Sequence, residues 1–114
     1  MPLVQNKTNQ DYVLAESTTA GTTAVYAIAP MAGLVVAVFG APATAQASTV
    51  TVAINGTTVA GMGMTLAATA WATTEVDLPL AGASAIYVNA GDVISFTGTG
   101  AAGAAYSVIV RAFT

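Results

Sequence analysis

The sequence predicts an all-β domain of about eight short strands, folded as an antiparallel sandwich or barrel. Two observations carry that prediction. Runs rich in β-branched and aromatic residues recur about every ten residues with turn signals between them. In addition, no window repeats its apolar residues at the spacing of an amphipathic helix. The alanine-rich segment "TLAATAWATT" has four threonines and no capping residue, so it does not read as a helix either. The 114 residues fit one domain, with no linker composition inside it.

Residues 1–11, "MPLVQNKTNQD", are polar and aperiodic and read as an extended arm, leaving 12–114 as the sandwich. A weak first strand is expected over 12–15. Strands over 22–29 and 34–39 follow ("TTAVYAIA" and "LVVAVF"), joined by a Pro-Met-Ala-Gly turn. Ser48–Ile54 alternates strictly, with Val50, Val52 and Ile54 on one face and Thr49, Thr51 and Ala53 on the other. Asn55-Gly56 then signals a tight hairpin, since both residues tolerate positive φ. It leads into a strand over 57–59 that extends through the Gly/Met segment towards Leu66. Residues 71–78 place Trp71, Thr73, Glu75 and Asp77 on one face and Ala72, Thr74, Val76 and Leu78 on the other. After a loop, short strands are expected over 86–88, 92–97 and 105–113, with a turn at Asn89-Ala90-Gly91.

The composition excludes several functions. With no cysteine and no histidine, there are no disulfides, no thiolate nucleophile and no imidazole acid–base pair. Lys7 and Arg111 are the only cations, against Asp11, Glu16, Glu75, Asp77 and Asp92, too few to neutralise a run of phosphates; nucleic acid is not an expected partner. Hydrophobic residues make up 55% of the chain and charged residues 6%, against about 25% charged in ordinary soluble domains. A small monomer cannot hide that much apolar surface, so the chain is expected to cover itself with further copies or another polypeptide. Residues 24–43 form an uncharged run long enough to span a bilayer, and part of it resembles a signal-peptide core with its cleavage site. Pro30, Gly33, Gly40 and Pro42 interrupt it, and no basic flank orients it. Two buried strands are the expected reading, without a membrane.

Gly98-Thr-Gly100-Ala-Ala-Gly103 matches the G-x-G-x-x-G dinucleotide fingerprint in letters only. That motif needs a helix after the loop and an acidic residue about twenty positions later. Here "AAYSVIVRAF" reads as a strand, and the eleven residues after Gly103 include no acid. The glycines are expected to form a hairpin loop between the last two strands, with no cofactor.

Glu75 and Asp77 point the same way from one strand, which gives solvent-facing charges rather than the carboxylates across a cleft that glycoside hydrolysis needs. A Ca²⁺ site built with Asp92 would demand more oxygen ligands than the chain offers in one place. Trp71 with Tyr26, Tyr87 or Tyr106 suggests either a sugar-stacking platform or buried core and interface rings. Met62 and Met64 flank Gly63 as an adaptable contact or as gap fillers. Asp92, after Gly91, is expected to bond its own turn. No base stands near any serine, so no catalytic residue is expected and the chain is read as a non-enzyme.

Ser48–Val59, the strand–Ala90-Gly91-Asp92–strand step, the Gly-rich loop and the closing "YSVIVRAF" together resemble small jelly-roll head decoration (cement) proteins of tailed bacteriophages. Similar modules occur in phage tail and fibre proteins. The resemblance implies a jelly-roll-like sandwich that trimerises and binds the major capsid protein on the outer capsid surface, doing no chemistry. It also implies that the arm reaches the shell or a neighbouring subunit through Pro2, Leu3 and Val4, with an extended segment adding to a sheet edge. Two rivals follow from the same features: a glycan-binding module of a tail or fibre, and an open-ended filament or minor coat subunit.

Overall fold

The computed structural model describes residues 10–100 and 102–113. They form two antiparallel five-stranded sheets packed as a sandwich. In chain order the strands are β1 (Gln10–Ala20), β2 (Val25–Ile28), β3 (Gly33–Pro42), β4 (Ser48–Ile54), β5 (Thr57–Thr58), β6 (Met64–Leu66), β7 (Thr74–Asp77), β8 (Tyr87–Val88), β9 (Val93–Gly98) and β10 (Ala102–Ala112). One sheet, here the β1 sheet, has the order β1-β10-β3-β7, with β8 also pairing β3; the other, the β2 sheet, runs β2-β9-β4-β5, with β6 also pairing β4. The pairs β5/β6 and β7/β8 each lie along one partner strand, so the order is that of an eight-strand jelly roll.

Buried positions alternate along β4, β9 and β10 as the sequence pattern requires. Val35, Val38, Val108 and Val110 of the β1 sheet meet Val50, Val52, Ile94 and Phe96 of the β2 sheet in one core. Phe96 and Tyr106 stack across it with ring centroids 5.0 Å apart and planes 2° from parallel. Burying a side chain of this class contributes about 1.5–3 kcal/mol, so this shared core holds the two sheets together. A bulge at Val36 shifts the β3–β10 register between Ile109/Ala37 and Val110/Val35, bending β3 over the core.

Several expected boundaries move. The first strand is eleven residues long rather than four, because Ser17-Thr18-Thr19-Ala20 pairs with β10 through Ala102. Gln10 and Asp11 therefore belong to β1. Residues 57–66 do not form one strand: two residues of β5 follow the hairpin at Asn55-Gly56, then a 3-10 turn at Ala60–Met62 precedes β6. Residues 71–73 precede β7 as irregular chain. The stretch over 24–43 folds as β2, a turn and β3, and no helix among the described residues is long and apolar enough to cross a membrane.

The Gly98–Gly103 segment is not a hairpin. β9 pairs with β2 and β4, while β10 pairs with β1 and β3, so the segment crosses from one sheet to the other. Packing requires its glycines. A Cβ on Gly98 would lie 2.6 Å from Ser48 Oγ, and one on Gly103 would lie 2.3 Å from the Thr18 carbonyl oxygen. The Ser48 hydroxyl accepts the backbone N–H of Thr99 and of Gly100, at 3.1 and 3.0 Å, and so anchors the crossing to β4.

Candidate functional site: an apolar sheet face and a groove beside Trp71

The two outer faces of the sandwich differ sharply, and the strand registers explain why. On the β1 sheet the outward rows read Asp11–Arg111–Leu34–Tyr87, Val13–Ile109–Ala37–Asp77 and Ala15–Ser107–Phe39–Glu75. Next comes Ser17–Ala105–Ala41. Small and aliphatic side chains fill the middle, and charges sit on the borders. Val13 is 59% exposed. On the β2 sheet the outward rows read Tyr26–Ser95–Ala53–Thr58 and Thr97–Thr51, with Thr49–Thr65 beyond. Hydroxyls dominate there, apart from exposed Tyr26 and Ile28 on the edge strand β2. One face is largely hydroxyl-bearing, the other largely apolar.

Two shallow depressions mark the apolar face. One, of about 390 Å³, is lined by Ala15, Phe39, Ala41, Thr73, Ala105 and Ser107. The other, of about 440 Å³, is lined by Trp71, Ala43, Gly103 and Ala105 together with Ser17, Thr19 and Thr44. Trp71 is 63% exposed and sits at φ 60°, the left-handed region that bulky residues avoid. Its backbone N–H donates to the Pro42 carbonyl at 2.7 Å, which holds it beside β3. A strained, exposed tryptophan over a groove is the kind of outlier that accompanies function.

Glu75 and Asp77 stand side by side on outward β7, as expected. The Asp77 carboxylate shares a hydrogen bond with Glu75 and repels it, and both effects raise the Glu75 carboxyl above its usual range. Asp92 is elsewhere, tied into its turn. Its Oδ2 accepts the Asn89 backbone N–H at 2.8 Å and its Oδ1 accepts the Asn55 side-chain N–H at 2.9 Å, which hold its carboxyl below the usual range. Asn55 Oδ1 in turn accepts the Val93 N–H, so Asp92 and Asn55 clamp the β4–β5 hairpin to the start of β9. Among the described residues no three carboxylates gather as metal ligands.

The other candidates scatter. Tyr106 is buried in the core, Tyr26 stands on the β2 sheet, and Tyr87 packs on Phe113 with centroids 5.9 Å apart at the end of the β1 sheet remote from Trp71. They form no common aromatic platform. Met62 and Met64 are buried gap fillers rather than a mobile contact. Pro2, Leu3 and Val4 lie outside the described residues. Sequence reasoning missed the apolar face because its residues come from β1, β3, β7 and β10, which only register brings together.

No family profile matches the chain, and no curated protein matches it. Solved structures resemble its fold. A protein of the Bacillus endospore appendages, a family of disulfide-linked pili, is 17% identical with a TM-score of 0.51, over 100% of this chain and 96% of that one. A family 35 carbohydrate binding module from Clostridium thermocellum is 19% identical with a TM-score of 0.46, over 89% of each chain. The virus-like particle protein of the extra small virus of the giant freshwater prawn, Macrobrachium rosenbergii, is 9% identical with a TM-score of 0.45, over 96% of this chain and 82% of that one. The Bacillus likeness shows a shared β-sandwich fold.

Proposed function

We propose that this chain is a virion structural protein of a tailed bacteriophage, a decoration (cement) protein that trimerises and binds the major capsid protein on the outer capsid surface. The observation that carries the reading is the apolar outer face of the β1 sheet, set against the hydroxyl-rich outer face of the β2 sheet. A protein with one face for solvent and one for contact is suited to completing its burial within an assembly. The resemblance of Ser48–Val59, the Ala90-Gly91-Asp92 step and the closing strand to cement proteins points to the virion. The role is mechanical. The chain holds no histidine or cysteine, and its paired carboxylates lie on a flat strand rather than across a cleft. Without cysteine, its assembly would involve no disulfide of its own.

The test uses capsids of the major capsid protein encoded beside this reading frame. Deleting residues 2–9, which spares β1, leaves the sandwich folded and abolishes capsid occupancy. Undiminished occupancy rejects the arm's role; failure of the intact chain to bind such capsids rejects the reading.

One observation favours a second reading, a glycan-binding module: the strained Trp71 lines a groove together with Ser17, Thr19 and Thr44. Sugar rings stack on exposed indoles. On that reading Trp71→Ala removes binding on a glycan array while leaving the melting temperature near that of the parent, and an array without hits rejects it.

A further inference from the structure

The turn at Asn55-Gly56 holds a reactive pair that the decoration reading leaves unused. An asparagine followed by glycine can close on itself, because no side chain on the glycine shields its backbone nitrogen. Both residues are exposed, at φ 52° and 83°. Among the described residues, no backbone hydrogen bond of the turns and loops engages the Gly56 N–H. The Asn55 amide, by contrast, is held through both its heteroatoms. Its Oδ1 accepts the Val93 N–H at 2.9 Å, and its Nδ2 donates to Asp92 Oδ1 at 2.9 Å. Its backbone N–H donates to the Val93 carbonyl at 2.8 Å. Asn55 and Val93 therefore exchange two hydrogen bonds in line with the pairs Ile54↔Ile94 and Ala53↔Ser95, with a side-chain carbonyl standing in for a backbone one. Asp92 is fixed in turn by the Asn89 N–H at 2.8 Å.

We infer that Asn55-Gly56 is a self-modification site, an amide that water converts to a carboxylate, and that Asp92 and Val93 are the latch restraining it. In the first step the Gly56 backbone nitrogen gives its proton to solvent and bonds to Asn55 Cγ. The Cγ–Nδ2 bond breaks, and Nδ2 leaves as ammonia with a proton taken from water. A cyclic imide remains, and water opens it. Attack at Cγ leaves an aspartate at position 55; attack at the Asn55 backbone carbonyl carbon leaves an isoaspartate. Neither step oxidises or reduces anything. The latch opposes the first step by geometry, since its bonds turn the amide towards β9 while Gly56 leads away into β5. Either product then works against the latch. A carboxylate at position 55 meets the Asp92 carboxylate where an amide N–H had donated, so attraction becomes repulsion between like charges. An isoaspartate lengthens the main chain inside a turn closed by the pair Ile54↔Thr57, and that register is lost. The reaction therefore runs one way, from a hairpin latched to β9 to a hairpin released from it.

The experiment incubates the full chain in mildly alkaline buffer and follows Asn55 in chymotryptic peptides by mass spectrometry. Labelling with an isoaspartyl methyltransferase identifies the isoaspartate product, and circular dichroism melting checks the fold. The parent chain in denaturant sets the unrestrained rate. The folded parent reacts at least about tenfold more slowly, the factor that one hydrogen bond to a charged group supplies. Asp92→Ala, which removes the acceptor, brings the folded chain close to the unrestrained rate. Asp92→Asn, which keeps an oxygen but not its charge, falls between the two. Gly103→Ala strains the sandwich beyond the far end of β9 and leaves the rate at the parent's, which separates the latch from a general loss of stability. Asn55→Asp, the direct product, melts below the parent. If Asp92→Ala does not fold, Asp92→Asn compared with Gly103→Ala decides. The inference is overturned by a folded parent that reacts at the denatured rate, by Asp92 variants that react at the parent's rate, or by a Gly103→Ala chain that reacts as fast as Asp92→Asn. An Asn55→Asp chain as stable as the parent overturns the release of the hairpin.

Discussion

Asp92, half-buried in its turn, and Glu75, exposed on β7, are both carboxylates in reach of water, yet their neighbours push them in opposite directions. The N–H groups of Asn89 and Asn55 bond the charged form of Asp92, so its folded pKa lies below the unfolded value. The unfolded chain then binds that proton more tightly. The Asp92 contribution to stability is complete above about pH 4, the ordinary carboxylate range, and is lost as pH falls further, through the depressed folded value. Glu75 is raised by its bond to Asp77 and by Asp77's charge. Its contribution is present below about pH 4 and is lost as pH rises through the raised folded value. Asp92→Asn should therefore lower the melting temperature at neutral pH by an amount that shrinks below pH 4. Asp77→Asn should raise it at neutral pH and have no such effect in acid. Melting curves of the parent and both variants across that range check the pair, and a parallel offset at every pH contradicts it.

At the scale of elements, tight crossings decide what the fold tolerates. β1 and β10 pass so closely at Thr18 that Gly103 has no room for a side chain, since its Cβ would fall 2.3 Å from backbone oxygen. Neither strand can give way without breaking the ladder from Gln10↔Ala112 to Ala20↔Ala102. Gly103→Ala should cost about 1–3 kcal/mol by overpacking, read as a lower denaturant midpoint with the slope unchanged. Gly56, at φ 83° with open space around it, should instead show only the strain of its left-handed turn. Elements with strong periodicity were legible in the sequence: the alternation of β4 and β10 and the Asn55-Gly56 turn are local properties of the chain. β1 was legible only in part, because Ser17-Thr18-Thr19 has loop composition and is held extended by its partner strand. The Gly98–Gly103 crossing read as a hairpin because sequence order does not say whether neighbouring strands share a sheet. The apolar face was hidden for a related reason. Ala15, Phe39 and Ala105 are each unremarkable, and only pairing across β1, β10 and β3 makes them one surface.

The whole molecule balances a small net charge against a large apolar surface. At pH 7 it carries a formal charge of −3, and its isoelectric point is about 4.1. That charge is modest but of one sign, so it opposes indiscriminate contact between copies. Neutralising the acids removes that repulsion. As pH falls towards the isoelectric point the repulsion fades while the apolar surface stays the same. Light scattering at low salt should therefore be flat at neutral pH, rise steeply as pH approaches 4.1, and fall again in stronger acid, where Arg111 and Lys7 leave the chain positive. Ala105→Glu should blunt that rise, because it adds an acid to the middle of the apolar outer face of the β1 sheet. A rise of equal size in that variant would mean that acid-induced association runs through some other surface, such as the exposed Tyr26 and Ile28 on the edge of the β2 sheet.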